Sequence, residues 1–165
     1  GLLAEGVAAG DIVIAGDSAG GGLSVATALR LRELAQPLPR ALAVFSPWTD
    51  LTLGQLSTDA PEIMLALPWL HEGANAYLAR GDARHPLASP VHADLRHLPP
   101  TLIQVGTDEL LLDDSRRLFD RLRACRVRAR LEEYPRRWHV FHVHAGVLAD
   151  ADRAFEAVAR FIRSV

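Results

Sequence analysis

The sequence contains no lysine and a single cysteine, Cys125. One cysteine can neither form a disulfide within the chain nor build a cysteine-rich metal site, and it is typical of a reducing compartment, so we expect a cytoplasmic protein. Acidic and basic residues nearly cancel to a formal net charge of −2, which gives no electrostatic reason to expect nucleic acid as a partner. No apolar stretch reaches the ~18 residues of a membrane-spanning helix, so no membrane span is expected.

What the chain does contain is ample material for a core. Of its 165 residues, 49% are hydrophobic. A chain of this length buries roughly 70% of its unfolded surface, which predicts that residues 1–165 form a single domain. The chain begins with Gly1 rather than Met, and we expect it to be part of a longer protein.

Short apolar runs alternate with longer amphipathic segments along the chain. The pattern predicts strands over residues 11–15, 41–45, 101–105 and 128–134, and helices over about 23–34, 68–79, 111–125 and 151–163. Cys125 falls on an apolar helix stripe and is predicted to be a small core residue. The alternation of strands and helices predicts an α/β fold with a mainly parallel sheet and flanking helices.

The strongest local signal is the sequence Gly16-Asp17-Ser18-Ala19-Gly20, which lies between a predicted strand and a predicted helix. A sharp strand-to-helix turn exposes the serine hydroxyl above the sheet, and glycines on both sides allow that turn. Ser18 is therefore predicted to be a nucleophile, with the backbone N–H of Ala19 as an oxyanion donor at the helix N-terminus. The alternative is a glycine-rich turn that only caps the helix or holds a phosphate.

A serine nucleophile needs a base, and that base is oriented by a carboxylate. Asp108 follows the third predicted strand and His139 follows the fourth. Because open α/β sheets place their sites at the carboxyl ends of strands, we expect both side chains at the same edge as Ser18. We therefore predict Asp108 as the acid and His139 as the base.

Other residues compete for these roles. Asp113 and Asp114 are alternative acids, although both fall on the polar face of a predicted helix. His142 and His144 are alternative bases. The pattern H-x-x-H-x-H also resembles a metal site, but no carboxylate or cysteine is spaced to complete it, so no metal is expected.

Several longer motifs occur in a fixed order: G-D-S-A-G-G-G-L from Gly16, S-P-W-T-D-L from Ser46, P-L-A-S-P from Pro86, G-T-D-E-L-L-L-D-D from Gly106, and H-V-F from His139. This set resembles the hormone-sensitive-lipase-like branch of the α/β-hydrolase fold, the bacterial carboxylesterases. The resemblance runs over nearly the whole chain. It implies a carboxylesterase that uses Ser18, Asp108 and His139 and needs no cofactor.

The chain departs from the family pattern at its start. The family's H-G-G-G segment, which supplies oxyanion donors, has no counterpart here, so we expect the N-terminal strands and the cap to be absent. Residues 11–15 would then form an apolar sheet edge, which favours self-association. We also expect this chain alone to be nearly inactive, since each lost oxyanion donor costs roughly 3–4 kcal/mol.

Two further departures concern arginines. Arg126 stands where the family usually has a glycine that ends a helix, and in a left-handed backbone it would cost about 1 kcal/mol. Arg136 and Arg137 replace a Gly-Met-like pair just before His139. Both departures predict an altered geometry of the histidine loop.

The reaction implied by the resemblance is hydrolysis of a small-molecule ester with a short to medium acyl chain. Trp48 and the apolar passage 64–70 are candidates for an acyl pocket, although a core role fits them equally well. An amide or formamide hydrolase, and a ligand-binding scaffold without activity, are the two alternatives.

Overall fold

The computed structural model describes residues 1–165 and contains one sheet of four parallel strands in the spatial order β1-β2-β3-β4. The strands are β1 (Val13–Asp17), β2 (Ala41–Phe45), β3 (Thr101–Gly106) and β4 (Ala129–Tyr134). The α-helices are α1 (Ala19–Glu33), α2 (Leu67–Leu78), α3 (Leu112–Ala124) and α4 (Ala149–Ser164). The predicted α/β class with a parallel sheet is confirmed.

The two central strands, β2 and β3, are buried along their whole length because helices cover both faces of the sheet. On one face, Leu42 and Ile103 pack with buried apolar residues of α1 and α3, and Cys125 packs against this core as predicted. On the other face, Leu102 packs against Phe161 of α4. This packing fixes the carboxyl ends of the strands, from which the candidate site residues project.

Helix α1 begins at Ala19, four residues earlier than the apolar pattern predicts. Glycines disfavour a helix interior, but two of them here are required by close packing. A Cβ at Gly21 would lie 2.7 Å from the Cβ of Pro47, and a Cβ at Gly22 would lie 2.1 Å from the carbonyl oxygen of Trp48. The glycines therefore let the first turns of α1 lie against the loop that follows β2.

Strand β1 lies at one edge of the sheet, where it pairs only with β2. Its residues are half-buried or exposed, in contrast to the central strands. The predicted apolar edge is therefore present in the structure. Self-association through this edge stays a prediction.

None of the helices combines the length and the apolar character needed to cross a bilayer. The single-domain organisation of residues 1–165 and the cytoplasmic location stay predictions.

Helix α3 ends in a left-handed turn centred on Arg126, whose φ is 59°. The N–H of Val127 donates to the carbonyl of Leu122 at 3.0 Å, and the N–H of Arg126 donates to that of Arg123 at 2.9 Å. This pair of bonds defines the Schellman motif, in which the left-handed position favours glycine. The left-handed backbone on which the cost of Arg126 depends is therefore present.

Replacement of Arg126 by Gly should therefore stabilise the protein. Removing the Cβ relieves a left-handed backbone that costs about 1 kcal/mol, which should raise Tm by roughly 2–4 °C for a chain of this size. The matched control is Arg123→Gly, which places glycine inside α3 and should lower stability by about 1 kcal/mol. Thermal unfolding of both variants tests the prediction, and a loss of stability in Arg126→Gly would contradict it.

Candidate active site

Ser18 lies on the turn between β1 and α1, with φ 51° and ψ −122°. This left-handed backbone is uncommon for serine and indicates local strain. A Cβ at Gly16 would lie 2.2 Å from the carbonyl oxygen of Gly20, so only glycine fits at position 16. A Cβ at Gly20 would meet no heavy atom within 4 Å, so the expectation that both flanking glycines are needed is wrong for Gly20.

The backbone of Ser18 is held by hydrogen bonds, whereas its hydroxyl makes none. Its N–H donates to the carbonyl of Phe45 at 2.9 Å, and its carbonyl accepts the N–H of Trp48 at 2.8 Å. The side chain caps no N–H of α1, which removes the helix-cap alternative for this serine. Ala19 is exposed and is the first residue of α1. Because the N–H groups of the first helical turn have no partners within the helix, the Ala19 N–H is free to bind a ligand atom.

His139 and Glu109 form a buried pair at the ends of β4 and β3. The His139 Nδ1 atom lies 2.8 Å from Oε2 of Glu109, and the two residues are 6% and 0% exposed. The other carboxylate oxygen, Oε1, accepts the N–H of Gly106 at 3.1 Å. Burial raises the pKa of Glu109, while the hydrogen bond from His139 lowers it. The arrangement fixes the imidazole by its Nδ1 atom and leaves Nε2 for chemistry.

Asp108, the predicted acid, is not the carboxylate that meets His139. Its Oδ1 accepts the hydroxyl of Thr107 at 2.9 Å, and its N–H donates to the carbonyl of Arg137 at 2.9 Å. The structure therefore corrects the predicted pairing from Asp108 to Glu109. The physical reason is the turn after β3, where the Glu109 side chain folds back beneath the strand end and Asp108 stays at the half-exposed rim.

The structure brings His139 to the same sheet edge as Ser18. Strands β1 and β2 end in register, so Ser18 and Ser46 leave the sheet side by side. The N–H of Val140, the residue after His139, donates to Oγ of Ser46 at 3.1 Å. No hydrogen bond joins the Ser18 hydroxyl to His139, and in ligand-free enzymes such bonds commonly tighten only when substrate binds.

The competing acids have other roles. Asp114 is buried, and its Oδ2 accepts the N–H groups of Thr49 and Asp50 at 2.7 and 2.9 Å. Burial raises the pKa of Asp114 to about 7. Asp113 lies in the first turn of α3, where its Oδ1 is 3.5 Å from NH1 of Arg116. Asp114 therefore holds the loop after β2 onto α3, and neither aspartate pairs with His139.

The competing histidines do not converge on a site. His142 is buried, and the centroid of its ring lies 4.0 Å from that of Phe141. Neither of its ring nitrogens has a hydrogen-bond partner. Burial lowers the pKa of His142 to about 4. His144 is exposed and lies edge-on to Trp138. No three His, Cys, Asp or Glu side chains lie close enough together to hold a metal ion.

Arg136 and Arg137, the arginines before His139, both make hydrogen bonds to neighbouring elements. Arg136 has a left-handed backbone, φ 57°, and its N–H donates to Oγ1 of Thr107 at 2.8 Å. The side chain of Arg137 donates from Nε to Asp150 at 2.6 Å. These contacts anchor the histidine loop to the end of β3 and the start of α4, and His139 still reaches Glu109.

A cavity of about 260 Å³ opens at Ala19, the residue after Ser18, and seven of its nine lining residues are hydrophobic. Its walls include Ala19, Trp48 and, from α2, Gly73 and Tyr77. The predicted passage 64–70 does not line it. Trp48 also packs against a small buried cluster of Leu70, Leu110 and Leu111, so it has both a lining and a packing role.

Comparison with known proteins supports the assignment of the fold. A family model for the alpha/beta hydrolase fold matches residues 3–143. An acetyl-hydrolase of Streptomyces hygroscopicus is 43% identical over 99% of this chain and 56% of its own length. An esterase of Acinetobacter venetianus is 35% identical over 99% of this chain and 55% of its own length. The chain thus spans about half the length of the curated relatives it matches.

Comparison with solved structures supports the same fold. An esterase from the bacterial hormone-sensitive lipase family superimposes with a TM-score of 0.90 at 39% identity, over 99% of this chain and 56% of that one. A hormone-sensitive lipase from a metagenome library superimposes with a TM-score of 0.94 at 37% identity and the same coverage.

Proposed function

The chain belongs to the hormone-sensitive-lipase-like esterase family of the α/β-hydrolase fold, and on this basis we propose that the full-length protein is a serine carboxylic-ester hydrolase. The observation that carries the proposal is the buried His139–Glu109 pair at the same sheet edge as the strained Ser18. A scaffold that only binds ligands has no need for a buried histidine–carboxylate pair at the same sheet edge as a serine whose side chain caps no helix.

In the first half of the proposed reaction, Nε2 of His139 accepts the hydroxyl proton of Ser18 as Oγ attacks the ester carbonyl carbon. The Glu109 carboxylate accepts the Nδ1–H of His139, which selects the required tautomer and stabilises the imidazolium that forms. The N–H of Ala19 donates to the developing oxyanion. The family's H-G-G-G segment, which has no counterpart in this chain, would supply the remaining donors.

In the second half, collapse of the tetrahedral intermediate breaks the ester C–O bond, and the alcohol leaves with the proton from His139. The acyl group stays on Ser18 Oγ. His139 then takes a proton from water, which attacks the acyl carbon. Collapse of the second tetrahedral intermediate breaks the bond from the acyl carbon to Ser18 Oγ, which regains its proton from His139 as the carboxylic acid leaves. Neither half of this cycle includes a redox step.

We assign short to medium acyl esters as the substrate class because the apolar cavity at Ala19 is of limited volume, about 260 Å³. Trp48 is proposed as a wall of this pocket. The name of the Streptomyces relative, an acetyl-hydrolase, supports a short acyl group.

The proposal is tested by turnover of p-nitrophenyl esters of increasing acyl length by the full-length protein, beside the matched p-nitroanilides. We expect ester hydrolysis with an initial burst of nitrophenol that is stoichiometric with enzyme. Faster cleavage of the anilides would favour an amide hydrolase. Ligand binding without turnover would favour a binding scaffold.

The cavity predicts a change of chain-length preference in Gly73→Leu. A Cβ at Gly73 would lie 3.6 Å from the Trp48 ring, so a larger side chain would project across the pocket. Because each buried methylene contributes about 0.8 kcal/mol, we expect kcat/KM for six-carbon acyl esters to fall roughly 10- to 100-fold relative to acetyl esters.

The matched control is Asn75→Leu, which adds the same side chain at an exposed position of α2 outside the cavity. It should leave the ratio of the two kcat/KM values unchanged. An unchanged ratio in Gly73→Leu as well would show that this cavity does not bind the acyl chain.

A further inference from the structure

Ser46, the residue after β2, combines burial with a strained backbone. It is 0% exposed, and its φ of 46° is left-handed although a proline follows it. A residue before proline normally adopts an extended backbone, so this conformation is disfavoured on two counts. Ser46 opens the S-P-W-T-D-L motif, but the motif alone assigns its side chain no role, and most buried hydroxyls have hydrogen-bond partners.

The Ser46 hydroxyl bonds to the backbone that follows His139 and also acts on the Glu109 carboxyl. Its Oγ accepts the N–H of Val140, the residue after His139, at 3.1 Å. Because a hydroxyl that accepts one bond still has a proton to donate, it can also serve an anion. The Glu109 carboxyl is that anion. Burial raises the pKa of Glu109, and hydrogen bonds from His139 and from Ser46 lower it.

The backbone of Ser46 is held independently of this hydroxyl. Its N–H donates to the carbonyl of Gln104 at 2.7 Å, which extends the pairing of β2 with β3 beyond the strand end. The left-handed turn at Ser46 thus occurs where the chain passes between Ser18 and the His139–Glu109 pair. The Ser46 side chain there bonds to the histidine loop and lowers the pKa of the buried acid.

We propose that Ser46 is a positioning residue for the proposed ester hydrolysis: its hydroxyl holds the backbone after His139 and the Glu109 carboxylate in fixed relation, so that the imidazole faces Ser18. This inference rests on the proposed function. A shift of the imidazole by about 1 Å can cost on the order of 100-fold in rate, so a single buried hydroxyl can have a large kinetic effect.

The test compares Ser46→Ala and Ser46→Gly in the full-length protein. Both variants remove the hydroxyl, but only glycine also relieves the left-handed backbone. Comparing the two variants therefore separates the effect of the hydroxyl from the effect of backbone strain. We expect both variants to lose about 10- to 100-fold in kcat with KM nearly unchanged. We also expect the acidic limb of the kcat/KM profile to move to higher pH. Without the Ser46 hydroxyl the pKa of Glu109 rises, so the carboxyl loses its proton at a higher pH. A purely structural role would leave that limb in place.

Ser115→Ala is the matched control, since Ser115 is also fully buried but its hydroxyl has no partner. It should leave kcat unchanged. Full activity in both Ser46 variants, or recovery in Ser46→Gly alone, would overturn the proposal. Amide hydrogen exchange at Val140 gives a readout without substrate: it should be faster in both variants even if no ester is hydrolysed, and unchanged exchange would also overturn the inference.

Discussion

Replacement of Ser18 by Ala is expected to lower kcat for ester hydrolysis by roughly 10⁴- to 10⁶-fold, with substrate binding retained. The change removes one oxygen atom from a side chain that caps no helix and whose backbone contacts are untouched. The fold should therefore be preserved, and the loss should appear in kcat alone. Steady-state kinetics together with thermal unfolding measure both quantities.

A companion variant checks that the turn at Ser18, between β1 and α1, is strained. Ser18→Gly should be equally inactive but more stable than Ser18→Ala by about 1 kcal/mol, because glycine adopts a positive φ without cost from a Cβ. Substantial turnover in either variant would contradict the assignment of Ser18 as nucleophile.

Replacement of Glu109 by Gln is expected to lower kcat roughly 10³- to 10⁴-fold. The amide is nearly isosteric, so its oxygen can still accept the N–H of Gly106. Its NH₂ group then faces Nδ1 of His139, which must become an acceptor and carry its proton on Nε2. In that tautomer His139 cannot take the proton of Ser18.

The matched control is the adjacent aspartate. Asp108→Asn should change kcat by less than about fivefold, because Asp108 bonds to Thr107 and its carboxylate does not contact His139. A large loss in Asp108→Asn with activity retained in Glu109→Gln would contradict the pairing seen in the structure. The comparison decides between two neighbouring residues that the sequence alone does not separate.

The sequence predicted the elements whose signal is local. The apolar runs of β2 and β3, the periodicity of α3 and α4, and the strand-to-helix turn at Ser18 each have a pattern that depends on nearby residues only. The order of motifs also indicated that Ser18 and His139 lie at one sheet edge, because parallel strands bring their carboxyl ends together.

The sequence did not predict features set by tertiary contacts. Choosing Glu109 over Asp108 requires the geometry of one turn, in which a side chain folds back to the N–H of Gly106. The one available signal was that Glu109 directly precedes the apolar run 110–112, so it is the acid nearer to the core. Ser46 belongs to the S-P-W-T-D-L motif, but its role is not evident from that motif, because the role depends on contacts with β3 and with the histidine loop.

The apolar pattern placed the start of α1 too late for the same reason. Intrinsic propensity argues against a helix through Gly20-Gly21-Gly22, and only the close approach of the loop after β2 explains it. Tertiary packing here overrides a local preference.

The central claim is that Ser18 is the nucleophile activated by a His139–Glu109 pair, and its most direct test is covalent labelling. The full-length protein is treated with a fluorophosphonate probe, digested, and analysed by mass spectrometry to locate the modified residue. The account predicts a single adduct on Ser18 Oγ and none in Ser18→Ala, with labelling much slowed in Glu109→Gln. An adduct on another residue, or labelling of Ser18→Ala at the wild-type rate, would contradict it.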